Sequence, residues 1–248
     1  MTQRTVEASP QVYARIGGLL YLIIIVAGIL GEMFIRGALV VSGDAAATAG
    51  RIAASPQLWR IGVAGDVLMH VCDIPLMLVF YVLLRPVNRN LALLAVLFNL
   101  VQTAVASANK LNLLVAQFFL GEAGYLKALA PQQQQALAYL SIKAHGYGFS
   151  VALVFFGCEC LVVGYLIFRS GYLPRVLGIL MAAAGLSYLI NSFALILAPA
   201  FAAGLFPAIL LPAFIGEVSL CLWLLIKGVN IPKWEARLLL SGAGAAPG

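Results

Sequence analysis

The sequence predicts an all-α fold, a polytopic bundle of six transmembrane helices, on three observations. Of its 248 residues, 63% are hydrophobic and 10% charged, against roughly 45–50% and 25% in a soluble domain. The mean hydropathy is +1.02. The apolar residues gather into six runs, about 16–35, 61–84, 91–112, 146–168, 176–197 and 206–227, each near the roughly 20 residues that a helix needs to cross a bilayer. Such a surface faces lipid, and a disordered, collagen-like or disulfide-scaffold chain is excluded. One transmembrane domain over 1–248 is expected, with 228–248 as an amphipathic tail.

The first run lacks the basic start and small-residue cleavage site of a signal peptide, so it reads as an anchor. The second carries Pro75, whose missing N–H frees the carbonyl of Val71. The third is seamed with amides and hydroxyls. In the fourth, the apolar pattern starts before the membrane, near Ala136 after Gln132–Gln135, so this helix projects beyond the bilayer. The fifth run carries Asn191 and the sixth Glu217. After them the stretch from Ile231 to Leu240 sets Lys233 and Arg237 beside Trp234 and three leucines, an interfacial pattern. Gly17, Gly18 and Gly28 would permit close helix packing, and a homodimer stays open.

Charge orients the bundle. Arg4, Arg15, Arg85, Arg89, Arg169, Arg175, Lys227, Lys233 and Arg237 fall on one side. Arg36, Arg51, Arg60 and Lys127 fall on the other, with Lys110 and Lys143 near or in the membrane. Nine against four places both termini in the cytoplasm and the long loops, about 36–58 and 115–140, outside. The net charge of +6 therefore belongs to helix ends; with no basic stripe interleaved with aromatics, no nucleic-acid partner is indicated. The bilayer is the expected partner. Cys72, Cys158, Cys160 and Cys221 all sit in apolar stretches and read as buried small hydrophobes rather than disulfides.

Four strings carry a resemblance: Ala14-Arg-Ile-Gly-Gly-Leu-Leu-Tyr21, Leu84-Arg-Pro-Val-Asn-Arg89, the continuous string from Gly164 through Arg169 to Gly178, and Gly216-Glu217-x-x-Leu220-x-Leu-Trp223. Together they resemble the bacterial integral-membrane family catalogued as domain of unknown function 4386, over nearly the whole chain. The resemblance implies a small multi-pass protein of a bacterial cytoplasmic membrane. It implies no substrate and transfers no catalytic residue.

Function must then come from the polar residues in the apolar runs, of which each ionisable one costs about 2.5–3.5 kcal/mol on insertion scales. Counting along each helix at about 1.5 Å per residue gives two layers. A midplane layer holds Asp73, Glu159 and Glu217 facing Asn99, Gln102 and Thr103. With no basic residue at that depth, these carboxyls either hold protons or share a cation. An outer layer holds Asp66, His70, Lys110, His145, Glu32 and Asn191, in which Lys110 can pair with Asp66 or Glu32. Asp66, His70 and Asp73, at i, i+4 and i+7, share one face of the second helix. Ser141, His145, Gly148, Ala152 and Glu159 share one face of the fourth, with the small residues leaving room for a ligand.

The expectation is an outward-facing polar pocket for a small or lipophilic ligand, bound by Asp66, His70, Asn99, Gln102, Thr103, Lys110 and Asn191. Three alternatives stay open. Asp73, Glu159 and Glu217 suit a membrane-embedded acid/base enzyme. His70 and His145 suit a haem, or with Asp66 and Asp73 a divalent metal. Titrating midplane acids also suit proton- or cation-coupled transport, although no inverted repeat is visible.

Overall fold

The computed structural model describes residues 9–243. Arg4 and the last five residues of the tail lie outside the described residues. Among the described residues there is no strand, and six helices are long and apolar enough to cross a membrane. They are α1 (Pro10–Leu39), α3 (Pro56–Leu84), α4 (Arg89–Phe119), α5 (Pro131–Ser170), α6 (Arg175–Leu197) and α8 (Ala208–Ile226). Shorter helices are α2 (Ala45–Ala54), α7 (Pro199–Leu205) and α9 (Ile231–Ala243). Five of the six expected runs lie within one long helix each, and the sixth, about 206–227, runs slightly past both ends of α8. The helices outrun several of the apolar runs, because a helix continues past the lipid wherever its backbone stays unbroken. The fourth does so most, starting at Pro131.

Three helices start where a side chain satisfies one of the first free N–H groups. Asp44 accepts from Ala47 N at 2.8 Å, Asn88 from Leu91 N at 3.0 Å and Asn230 from Lys233 N at 3.2 Å. The α5–α6 turn is closed by Gly171, at φ +76°, where a Cβ would be strained.

The chain divides into two compact units. The first comprises the residues up to Leu22, Cys72–Gln102 and those from Leu153 onward; the second comprises Ile23–Val71 and Thr103–Ala152.

In the first unit, glycine sets the helix spacing. A Cβ on Gly164 would lie 2.7 Å from Gly178 O, and one on Gly185 would lie 2.6 Å from Gly157 O. The backbones of α5 and α6 therefore touch at two places seven residues apart. A Cβ on Gly216 of α8 would likewise lie 2.7 Å from Leu180 O. Between helices in lipid such close approach supplies the van der Waals contact that drives association. The Gly164 to Gly178 string that carries the family resemblance is thus a packing seam. Gly17 and Gly18 behave alike, against Val79 and Leu225 of the same chain.

The first unit also ties down the tail. The phenol of Tyr172 and the indole of Trp234 both donate to Leu83 O at the C-terminal end of α3, where helix carbonyls lack intrahelical partners. The side chain of Gln11 donates to Lys227 O and accepts from Val229 N, each at 3.0 Å. Helix α9 is thereby anchored by buried Trp234, while Leu239 and Leu240 stay exposed.

The second unit has an apolar core of Ile35, Leu39, Ile52, Trp59, Val63, Leu113, Ala116 and Ala138. Trp59 spends its N–H on Leu113 O at 2.9 Å, which removes the cost of burying it.

Candidate functional site

Each unit encloses a group of polar side chains. In the second unit the centre is Asp66 on α3. The Arg36 guanidinium donates to both of its oxygens, at 2.6 and 3.3 Å, and the Lys110 ammonium lies 3.0 Å from Oδ2. Asp66 is 1% exposed and Lys110 4%. Glu32 holds Arg36 Nε at 2.7 Å from a side chain that is 65% exposed. Two cations thus meet one buried carboxylate and one at the rim, so the formal charge balances.

Local backbone makes this possible. Residues Leu30–Arg36 of α1 form a π-helical segment, a widened turn that recurs at functional sites. Within it Gly31 leaves space: a Cβ there would fall 2.8 Å from Asp66 Oδ1 and 3.3 Å from Arg36 Nη2. The pairing of Lys110 with Asp66 agrees with expectation. The position of Arg36 does not, because hydropathy alone sets it at the start of the outer loop. The apolar run thins out before it, yet the helix continues to Leu39, and its i, i+4 spacing from Glu32 was the available signal.

Beside this cluster, Asn109 donates to His145 O at 2.8 Å and its amide lies 3.0 Å from His145 Nδ1. Asn112 in turn donates to Asn109 Oδ1 at 2.9 Å. The ring of His145 stacks on Phe149, and Lys110 Nζ lies 5.3 Å from that same ring. Gly148, expected to leave room for a ligand, gives its room to Asn109, whose Oδ1 would clash with a Cβ there. The physical reason is that a buried amide needs partners, and the bare backbone of α5 lets it reach them. His70 is also buried in this unit.

In the first unit the acids gather. Asn99 on α4 donates to Glu159 Oε2 on α5 at 3.1 Å. The Tyr188 phenol donates to Glu217 Oε1, and the Tyr21 phenol is near enough to act on the same carboxyl. Asp73 belongs to the same group, near enough to act electrostatically on both Glu159 and Glu217. Aromatic rings wall the group: Phe156 against Tyr188 at 5.2 Å, and Tyr21 edge-on to Phe80 at 6.1 Å. Glu159 and Asn99 are each 4% exposed. Glu217 directly follows Gly216 on α8, and Tyr188 lies eight residues, about two turns, beyond Leu180 on α6.

Tyr21 and Tyr188 escaped the sequence reading because aromatics in apolar runs usually only pack. The signal was the phenol, which needs a partner when buried. Gln102 also belongs to the first unit, whereas Thr103 belongs to the second. Asn191, expected with Asp66 and His145, falls in the first unit, half-buried on α6. Asp66, His70 and Asp73 do share the buried side of α3; Leu68, Val71, Ile74 and Leu78 occupy its exposed side.

Among the described residues no group of three or more His, Cys, Asp or Glu is arranged to hold a metal ion. The expected set of Asp66, His70, Asp73 and His145 is therefore not assembled as a ligand sphere: Asp66 is occupied by Arg36 and Lys110, and His145 Nδ1 faces the Asn109 amide.

Residues 16–228 match the family described as domain of unknown function (DUF4386). The chain belongs to that family. An uncharacterized protein of Archaeoglobus fulgidus is 27% identical over 171 residues, which cover 69% of this chain and 86% of that one. No solved structure matches the chain. The family membership extends from α1 to the end of α8, so both polar groups lie inside the matched region.

Proposed function

We propose that this is a multi-pass protein of the bacterial cytoplasmic membrane, with both termini cytoplasmic, that binds a small or amphiphilic ligand among its intramembrane polar side chains. Glu159 and Glu217 exchange a proton or small cation as the ligand binds. The orientation rests on the nine-to-four distribution of basic residues.

One observation carries the chemical reading: Glu159 and Glu217 are held by neutral donors, an amide and a phenol. A carboxyl held that way changes its proton or cation without breaking an ion pair. Asp66, locked between Arg36 and Lys110, does not have that freedom. Intramembrane acids of the first kind are what coupled binding requires. The Tyr188–Glu217 pair also favours a second reading, proton transfer to and from a bound lipophilic substrate.

The test is infrared difference spectroscopy of the carboxyl bands in lipid, on a pH step and on adding sodium or the lipophilic cation tetraphenylphosphonium. A carboxyl band should respond to one of these additions and disappear in Glu159→Gln or Glu217→Gln. Bands that ignore pH, sodium and the lipophilic cation alike would overturn the proposal.

A further inference from the structure

The first unit contains a cavity of about 410 Å³ away from the acids, within the roughly 300–1,000 Å³ of ordinary ligand clefts. Its wall includes Tyr172 from the α5–α6 turn, Trp223 and Lys227 from the end of α8, Gly228 and Asn230 from the linker, and Lys233 from the first turn of α9. The polar groups of this wall other than the lysines are largely committed. Tyr172 donates to Leu83 O, Trp223 Nε1 to Gly228 O at 3.0 Å, and Asn230 Oδ1 accepts from Lys233 N. Gly228, at φ +70°, makes the turn that brings α9 back across the end of α8.

The two ammonium groups are different. Among the described residues neither Lys227 nor Lys233 has an ion-pair or side-chain hydrogen-bond partner, although both line one cavity. Arg237, one turn beyond Lys233, is near enough for its charge to act on Tyr172. The N-terminal end of α9 adds positive potential on the same side. A concave site with two uncommitted cations fits an anion that carries several acceptor oxygens.

The surroundings choose between sources of that anion. The membrane-spanning stretch of α8 ends at Ile226, one residue before Lys227, so the cavity lies at the edge of the apolar layer. Ile226 is 63% exposed, and Leu239 and Leu240 on α9 are more exposed still. Apolar surface beside paired cations at this level suits a molecule with acyl chains and a phosphate. We infer that the cavity between the α5–α6 turn, the end of α8 and the start of α9 is a binding site for the phosphate headgroup of an anionic phospholipid, held by Lys227 and Lys233.

The experiment uses the full chain in neutral detergent, titrated with short-chain phosphatidylglycerol, short-chain phosphatidylcholine or inorganic phosphate, with thermal stability and tryptophan fluorescence as readouts. Phosphatidylglycerol should give a saturable response that phosphatidylcholine does not. At about 1 kcal/mol per lysine near a charged lipid surface, the K227Q/K233Q pair should weaken it about thirty-fold. Lys127→Gln, which removes a charge elsewhere, should leave it unchanged, and K227R/K233R should retain it. Both lysines are exposed, so the variants should keep the wild-type melting point without lipid. An equal response in K227Q/K233Q, or no preference for phosphatidylglycerol over phosphatidylcholine, would overturn the assignment. Inorganic phosphate saturating at the same concentration as the lipid would also overturn it, by making free phosphate the occupant.

Discussion

Replacing Asp66 by Asn tests the charge cluster most directly. The substitution keeps the shape and removes the charge that holds Arg36 by two bonds, at 2.6 and 3.3 Å, and Lys110 at 3.0 Å. Breaking a buried ion pair from one side costs about 3–5 kcal/mol, because the partner charge is left uncompensated. Two effects move the value to the lower end. Arg36 keeps Glu32, although an exposed pair contributes only about 0–1 kcal/mol. Lys110 keeps the Phe149 ring and can reach toward water along its stem. About 3 kcal/mol remains, which for a chain of this size corresponds to a fall in melting temperature of about 6–12 °C. Thermal unfolding in detergent measures it. A double-mutant cycle with Arg36→Gln should give a coupling above about 1 kcal/mol, and replacing Arg36, Asp66 and Lys110 together by Met, Leu and Met should recover most of the loss. If Asp66→Asn unfolds within 1 °C of wild type, the three groups do not form a compensated buried cluster and the reasoning fails.

Other consequences are open to measurement. Gly178→Val sets side-chain atoms against Gly164 O, only 2.5 Å from an ideal Cβ; it should cost about 1–3 kcal/mol of stability, whereas Gly146→Ala, with open space around it, should change almost nothing. Tyr188→Phe removes one donor from Glu217 and should lower stability by about 1 kcal/mol, while shifting the Glu217 carboxyl band in the infrared; an unmoved band would refute the contact. Gly148→Ala must displace Asn109, so the imidazole resonances of His145 should shift in NMR, and unchanged resonances would exclude the Asn109–His145 contact. Burial pushes the Tyr172 phenol above its usual value, with the charge of Arg237 acting in the opposite direction. The folded chain therefore favours the neutral phenol, and that stability is complete below about pH 10 and lost as pH rises past it. Tyr172→Phe should flatten the alkaline limb of a stability profile, and identical limbs would contradict the burial.

How much of this was legible beforehand differs by residue. The six helices were readable because lipid demands about 20 apolar residues per crossing, a constraint local in sequence. The shared face of Asp66, His70 and Asp73 followed from the helical period alone. Lys110 found Asp66 because a buried cation needs a counter-charge and few were at hand. Arg36 was misplaced because hydropathy marks where apolar residues thin out, and a π-helical turn that carries an arginine back to a carboxylate leaves no trace in it. Gly148 looked like vacant space because a missing side chain does not reveal who fills its place.

By itself, then, the sequence determined the class of the molecule: its solvent is a bilayer, six of its described helices are long and apolar enough to cross it, and its polar side chains sit on a few helix faces. Those are consequences of transfer free energies and of a period of 3.6 residues, which act on each stretch of chain separately. The tertiary structure alone decided the partners. It set Glu217 against Tyr21 and Tyr188, Glu159 against Asn99, and Asp66 between Arg36 and Lys110. Those pairings depend on which backbones approach closely enough, through Gly31, Gly164, Gly178 and Gly216, and close packing between helices is a property of two surfaces at once.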